Sequence, residues 1–179
     1  MERRQGKVII HASGGTAGKG GNTHKMTLPS VWMKQMGINE GSREVELTFD
    51  GTTIMISKRL TMDEWVATKK AQGHSLMKLT YYDGNVLCST ILADMTEHTV
   101  RIENHTERVI KTAFGNNFTP GWEELQQFLE DRCIPRARAG LREYLESIGV
   151  EKYDPIELVK KTEGRMAEDD QWIRIEVLA

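Results

Sequence analysis

The sequence predicts an α+β chain in two regions, and three observations carry that expectation. Short β-rich runs broken by turn residues, with one short helix among them, fill residues 1–60. A second group of strands precedes a group of helices in residues 74–179, the order expected of helices set apart from an antiparallel sheet. Charge divides at the same place: residues 1–60 hold nine Lys or Arg against five acids, and the remainder holds 15 against 21. A head of net +4 on a body of net −6 indicates two functional regions, the head being the candidate for a polyanionic partner.

Residues 7–11 are a short β-rich run, followed by a glycine-rich stretch and an alternating run over 22–28. Pro29 stands where a helix can begin, because a proline loses nothing at the first helical position. Val31, Trp32, Met33 and Met36 then give an apolar stripe that Gly37 ends. Residues 44–49 and 53–57 alternate on either side of Asp50-Gly51, a type I′ hairpin signal. Thr61 caps a helix that Gly73 stops, read as a linker over 61–73. Strands over 76–82, 86–92 and 99–103 predict a small antiparallel sheet. Helices are expected from Trp122 to Arg132, from Pro135 to Ile148, and after Asp154-Pro155 to Lys161, with a last strand over 172–178. Trp122, Phe128, Tyr144 and Trp172 fall at core spacing.

A chain of 179 residues with 39% hydrophobic content can bury a sizeable core. No run of about 18 apolar residues is present, and the opening residues lack the apolar stretch of a secretory signal, so a cytoplasmic protein without a membrane partner is expected. Cys88 and Cys133 stand far apart with no CxxC or close His pair, which points to free thiols and to no zinc site. His98 and His105 lie near Asp94, Glu97 and Glu103, but at a spacing that fits no metal-ligand pattern. No cofactor is implied.

The stretch SGGTAGKGG, from Ser13 to Gly21, invites comparison with a phosphate-binding loop. Registered on Gly18-Lys19, it puts Ser13 where the first glycine belongs and Gly20 where the magnesium-binding hydroxyl belongs. The run that follows alternates as a strand does, whereas such a loop must open a helix aimed at the phosphates. The stretch is therefore read as a surface loop.

Gly21-Asn22-Thr23-His24-Lys25-Met26-Thr27-Leu28-Pro29, then Lys34-Gln35-Met36-Gly37-Ile38, then Glu44-Val45-Glu46-Leu47 and Asp50 to Ile56, form an ordered series. The series resembles the AbrB/MazE/SpoVT family of DNA-binding domains over about residues 7–58. The resemblance implies a swapped-hairpin β-barrel in which two chains interleave their hairpins, hence a homodimer through the N-terminal region. It also implies double-stranded DNA as partner, contacted by basic residues of the first strands and adjoining loops. Carried over by position, Lys25 falls where such proteins place an Arg, Lys34 at a basic position near the end of the short helix, and Lys7 on the first strand. Thr27 replaces a frequent Arg and keeps only a hydroxyl. Lys19 would stand at the tip of the long loop, between His11 and His24, which can reach phosphate or base edges. Arg3 and Arg4 would form an arm.

In the body, Arg132, Arg136, Arg138 and Arg142 gather at an interhelical turn. They can contact an anion or a partner, or pair structurally with Glu168, Asp169, Asp170, Glu143 and Glu146. Together these expectations describe a non-enzymatic, dimeric transcriptional regulator or antitoxin-like protein of a bacterium or mobile element, with a C-terminal interaction or sensor domain that engages a protein such as a toxin. The alternative is a phage-borne or mobile-element inhibitor whose acidic body blocks a defence nuclease, in the manner of anti-CRISPR proteins.

Overall fold

Turn chemistry sets where each element of the chain stops. In the computed structural model, which describes residues 2–12 and 21–178, the order is β1 (Ile9–Ala12), β2 (Asn22–Lys25), α1 (Ser30–Gln35), β3 (Val45–Phe49), β4 (Ile54–Lys58), α2 (Met62–Ala71), β5 (Leu76–Asp83), β6 (Val86–Asp94), β7 (Thr99–Asn104), α3 (Trp122–Asp131), α4 (Leu141–Ser147), α5 (Pro155–Thr162) and β8 (Gln171–Val177). A single 3-10 turn, Val109–Lys111, lies between β7 and α3. The expected glycine-rich loop with Lys19 lies outside the described residues. The class is α+β, and no described helix is long and apolar enough to cross a membrane.

The chain divides into two compact units, Met1–Arg59 and Leu60–Ala179. In the first, β1 pairs antiparallel with β2 and β3 with β4, as two separate two-stranded sheets. No closed barrel forms among its described residues, and none of them is buried. The β3–β4 turn departs from the expected type I′. Of its central residues only Gly51 has positive φ, at 99°, whereas type I′ needs two. The Asp50 carboxylate holds the turn instead, accepting from the backbone N–H groups of Thr52 and Thr53 at 2.8 Å each. Those two bonds, with the Thr52 hydroxyl, hold its carboxyl below the usual range.

The second unit is built on a four-stranded antiparallel sheet in the order β7-β6-β5-β8. Strand alternation puts Met77, Leu79, Tyr81, Ile91, Ala93 and Ile173 on one face. There they meet Leu125 and Leu129 of α3 and Val159 of α5 in one buried cluster. Burying a leucine fully contributes roughly 1.5–3 kcal/mol, and Leu79, Leu125 and Leu129 are each at most 1% exposed. A satellite cluster of Leu145, Val150 and Leu158 seats α4 beside α5.

The helix read as a linker packs within the second unit. Its Trp65 lies with Leu76 and Leu92 on the opposite sheet face, and Thr61 and Glu64 close a capping box at its start. Gly73, at φ 78°, ends it as expected. The helix expected from Pro135 is shorter: it begins at Leu141, because Gly140 takes a left-handed conformation at φ 75° and Pro135 opens a turn closed by Arg138 N–H on its carbonyl. Trp172 does not enter the core. It stacks on Tyr82 on the sheet face that α3 and α5 leave uncovered.

Candidate nucleic-acid interface

Pairing across the first hairpin joins Ile9 to Lys25, Ile10 to His24, His11 to Thr23 and Ala12 to Asn22. Directly opposed residues share a face and successive ones alternate. Lys25, Thr23, Ile9 and His11 therefore lie on one face, and His24, Ile10, Asn22 and Ala12 on the other. Continuing the alternation outward assigns Lys7 and Thr27 to the Lys25 side, and Val8 and Met26 to the Ile10 side. One side of the hairpin is thus polar and basic, and the other is largely apolar. His24 parts company with Lys25 and points to the apolar side.

The second hairpin is more sharply divided. Val45, Leu47, Phe49, Ile54 and Ile56 share one face with Lys58, while Glu46, Thr48, Met55 and Ser57 share the other. The apolar face has no cover within the described chain: Leu47 is 63% exposed, Phe49 69% and Ile54 66%.

Lys34 sits in the last turn of α1, where a cation complements the helix dipole, and it is exposed. The N-terminal arginines divide. Arg4 lies over the Trp32 ring at 5.7 Å, and Glu2 accepts a 2.6 Å hydrogen bond from Trp32 Nε1, so this segment is tied to α1. Arg3 is exposed. The structure thus sets Lys25 on the polar side of the first hairpin, to which the continued alternation assigns Lys7 and Thr27, and sets Lys34 and Arg4 on or against α1.

In the second unit the arginines separate by role. Arg132 is 8% exposed and gives all its donors to the chain: Nε to the Gly164 carbonyl at 2.9 Å, both terminal nitrogens to the Asp169 carboxylate at 2.6 and 3.0 Å, and Nη2 to the Gln171 carbonyl at 2.7 Å. This guanidinium holds the Asp169 carboxyl below the usual range. Arg136 pairs with Glu130 at 2.6 Å and stacks over Tyr153 at 4.1 Å, and Arg142 pairs with Glu146 at 3.0 Å. Arg138 is exposed.

The carboxylates near the two histidines weighed for a metal gather elsewhere. Asp94 and Glu97 meet His74, with His74 Nδ1 2.7 Å from Asp94 Oδ2. The Lys69 ammonium already stands among them, 3.2 Å from Asp94 and in contact with Glu97. His98 instead stacks on Trp122 at 4.6 Å, and His105 bonds Thr90 at 2.8 Å. Burial drives the Asp94 carboxyl upward, but His74, the N–H groups of Glu97 and Thr96, and Lys69 outweigh it and hold the pKa at about 2. Both thiols are free, and burial pushes that of Cys133 up to about 11, so it is a poor nucleophile.

Sequence reasoning missed the His74 cluster because His74 lies 20 residues from Asp94. Only the antiparallel return of β5 and β6 brings the two together. No family model, curated protein or solved structure matches the chain.

Proposed function

We propose that this protein is a non-enzymatic, dimeric DNA-binding regulator, of the transcription-factor or antitoxin kind. In this reading two copies interleave the hairpins of their first units and present Lys7, Lys25, Thr27 and Lys34 twice to a duplex. The observation that carries the reading is the incompleteness of the first unit: none of its described residues is buried, and each hairpin turns an apolar side outward. About fifty residues in that state lack the core a stable domain needs, and a second copy of the same faces supplies it. The basic side of the first hairpin then stays outward, as binding to phosphates requires. Two-fold symmetry suits an inverted-repeat operator. In this account the acidic second unit engages a protein partner. Its net −6 also fits the alternative partner class, the basic nucleic-acid groove of a nuclease.

The test is a salt titration of binding to the duplex upstream of the protein's own gene. In a dimer, Lys25→Ala removes two phosphate contacts and should flatten the log–log salt slope by about 1.8, at roughly 0.9 per contact. No binding at about 50 mM salt, or a slope that Lys25→Ala leaves unchanged, contradicts the regulator. Co-purification with a nuclease, without DNA binding, would favour the inhibitor.

A further inference from the structure

The four-stranded sheet ends in two edge strands, β7 and β8, and their outer edges differ. At β8 the Ile173 N–H donates to the Glu163 carbonyl at 2.7 Å, and the Gln171 carbonyl accepts from Arg132 at 2.7 Å. The first half of that edge is therefore closed. At β7 the His105 N–H donates to the Cys88 carbonyl at 2.9 Å, which fixes the alternation of the strand. Thr99, Arg101 and Glu103 turn their peptide groups toward β6, and Val100, Ile102 and Asn104 turn theirs outward. Among the described residues, none bonds those outward N–H and C=O groups. An open edge of this kind is a template for another strand.

The sequence of β7 matches itself. Laid antiparallel against a second copy with Ile102 facing Ile102, the strand sets Val100 against Asn104 and Arg101 against Glu103, at both ends. Every outward residue then meets an outward residue, and each such pair can exchange two N–H···O bonds. Charge selects this register. A slide of two residues, the smallest that keeps outward groups opposed, sets Arg101 against Arg101 in one direction and Glu103 against Glu103 in the other. Glu103 is exposed and forms no ion pair with the described residues. Arg101 is steadied on the same face of the strand by the Leu60 carbonyl and the Trp65 ring, while Val100 and Ile102 pack on the core cluster from the other.

We propose that β7 pairs antiparallel with β7 of a second copy about a two-fold axis at Ile102, joining two second units through one continuous sheet. A strand paired antiparallel with its own copy is two-fold symmetric by construction, so the contact closes on itself and builds no filament. One short strand pair is a small interface, with a dissociation constant on the order of 0.1 mM. The proposal rests on the second unit alone. Dimerisation of the first units would strengthen the pairing by raising the effective concentration of the edges, without altering the contact.

Residue-resolved amide hydrogen exchange of the full-length protein tests it. In Leu47→Lys, which keeps the first units apart, exchange at Val100, Ile102 and Asn104 should slow about threefold or more between about 20 µM and about 1 mM protein. Adding Glu103→Arg sets guanidinium against guanidinium in the paired register and should abolish the slowing. Amides at positions 101 and 103 bond β6 and should stay slow throughout, which shows the sheet intact. In the wild-type dimer the three outward amides should be slow already at the lower concentration, and Glu103→Arg should release them. Outward amides that exchange at the same rate at both concentrations in Leu47→Lys overturn the proposal, as does slowing that survives Glu103→Arg. A wild-type protein whose outward amides slow only at the higher concentration contradicts the first-unit dimer and leaves the β7 pairing standing.

Discussion

Arg132 shows how one side chain can join distant parts of a fold. Standing at the end of α3, it fastens the 163–171 loop through the Gly164 carbonyl, the Asp169 carboxylate and the Gln171 carbonyl. Gln171 is in turn bonded by the Tyr81 hydroxyl from the sheet, and burial lifts that phenol to a pKa of about 12. Gly164 has to be glycine here: its φ is 58°, and a Cβ would meet the Cβ of Arg132 at 3.2 Å. Lysine keeps the charge but lacks the planar fork that reaches three acceptors at once. Arg132→Lys should therefore lower the stability of the second unit by about 3 kcal/mol, the cost of breaking a buried pair, seen as a lower urea midpoint. A midpoint equal to wild type would show that the fork holds nothing. The pairing with Asp169 was open to sequence reasoning as one alternative, because the acidic run 168–170 is visible in the chain. The loop carbonyls that complete the set were not, since backbone positions leave no mark in residue types.

Between elements, the decisive contacts come from returns of the chain. Asp94 at the end of β6 collects Lys69 from α2 and His74 just after it, and so ties that helix to the sheet. Its carboxyl has a pKa of about 2, below the ordinary 3.8, so its contribution is fully present above about 3.8 and is lost as the pH falls through about 2. That contribution is on the order of 2 kcal/mol. Urea midpoints measured between pH 5 and pH 2 should fall more steeply for wild type than for Asp94→Asn, and parallel curves would contradict the assignment. Elements with strong local signals were legible in the sequence. The Asp154-Pro155 start of α5 is one, its carboxylate accepting from the N–H groups of Ile156 and Glu157. The α2 capping box is another. The start of α4 was not legible, because Pro135 and the periodic apolar residues favour a longer helix until Gly140 turns left-handed. Trp172 was misplaced for a related reason: strand alternation fixes two faces but does not say which one the helices cover.

At the scale of the whole chain, the two units differ in what they lack. The second has a buried core, whereas the first presents apolar hairpin faces with nothing among its described residues to bury them. In the duplex-binding account, a second copy fills that need and doubles the basic surface at the same time. Shape and charge then work together, since the side of the first hairpin that carries Lys25 is the one not required for burial. The most direct test is the molar mass of the full-length protein in solution by light scattering. The account predicts the mass of two chains, shifting to that of one chain in Leu47→Lys, which puts a charge in the middle of the β3–β4 apolar face. A wild-type protein that stays monomeric at all concentrations, with its first unit folded, would contradict it.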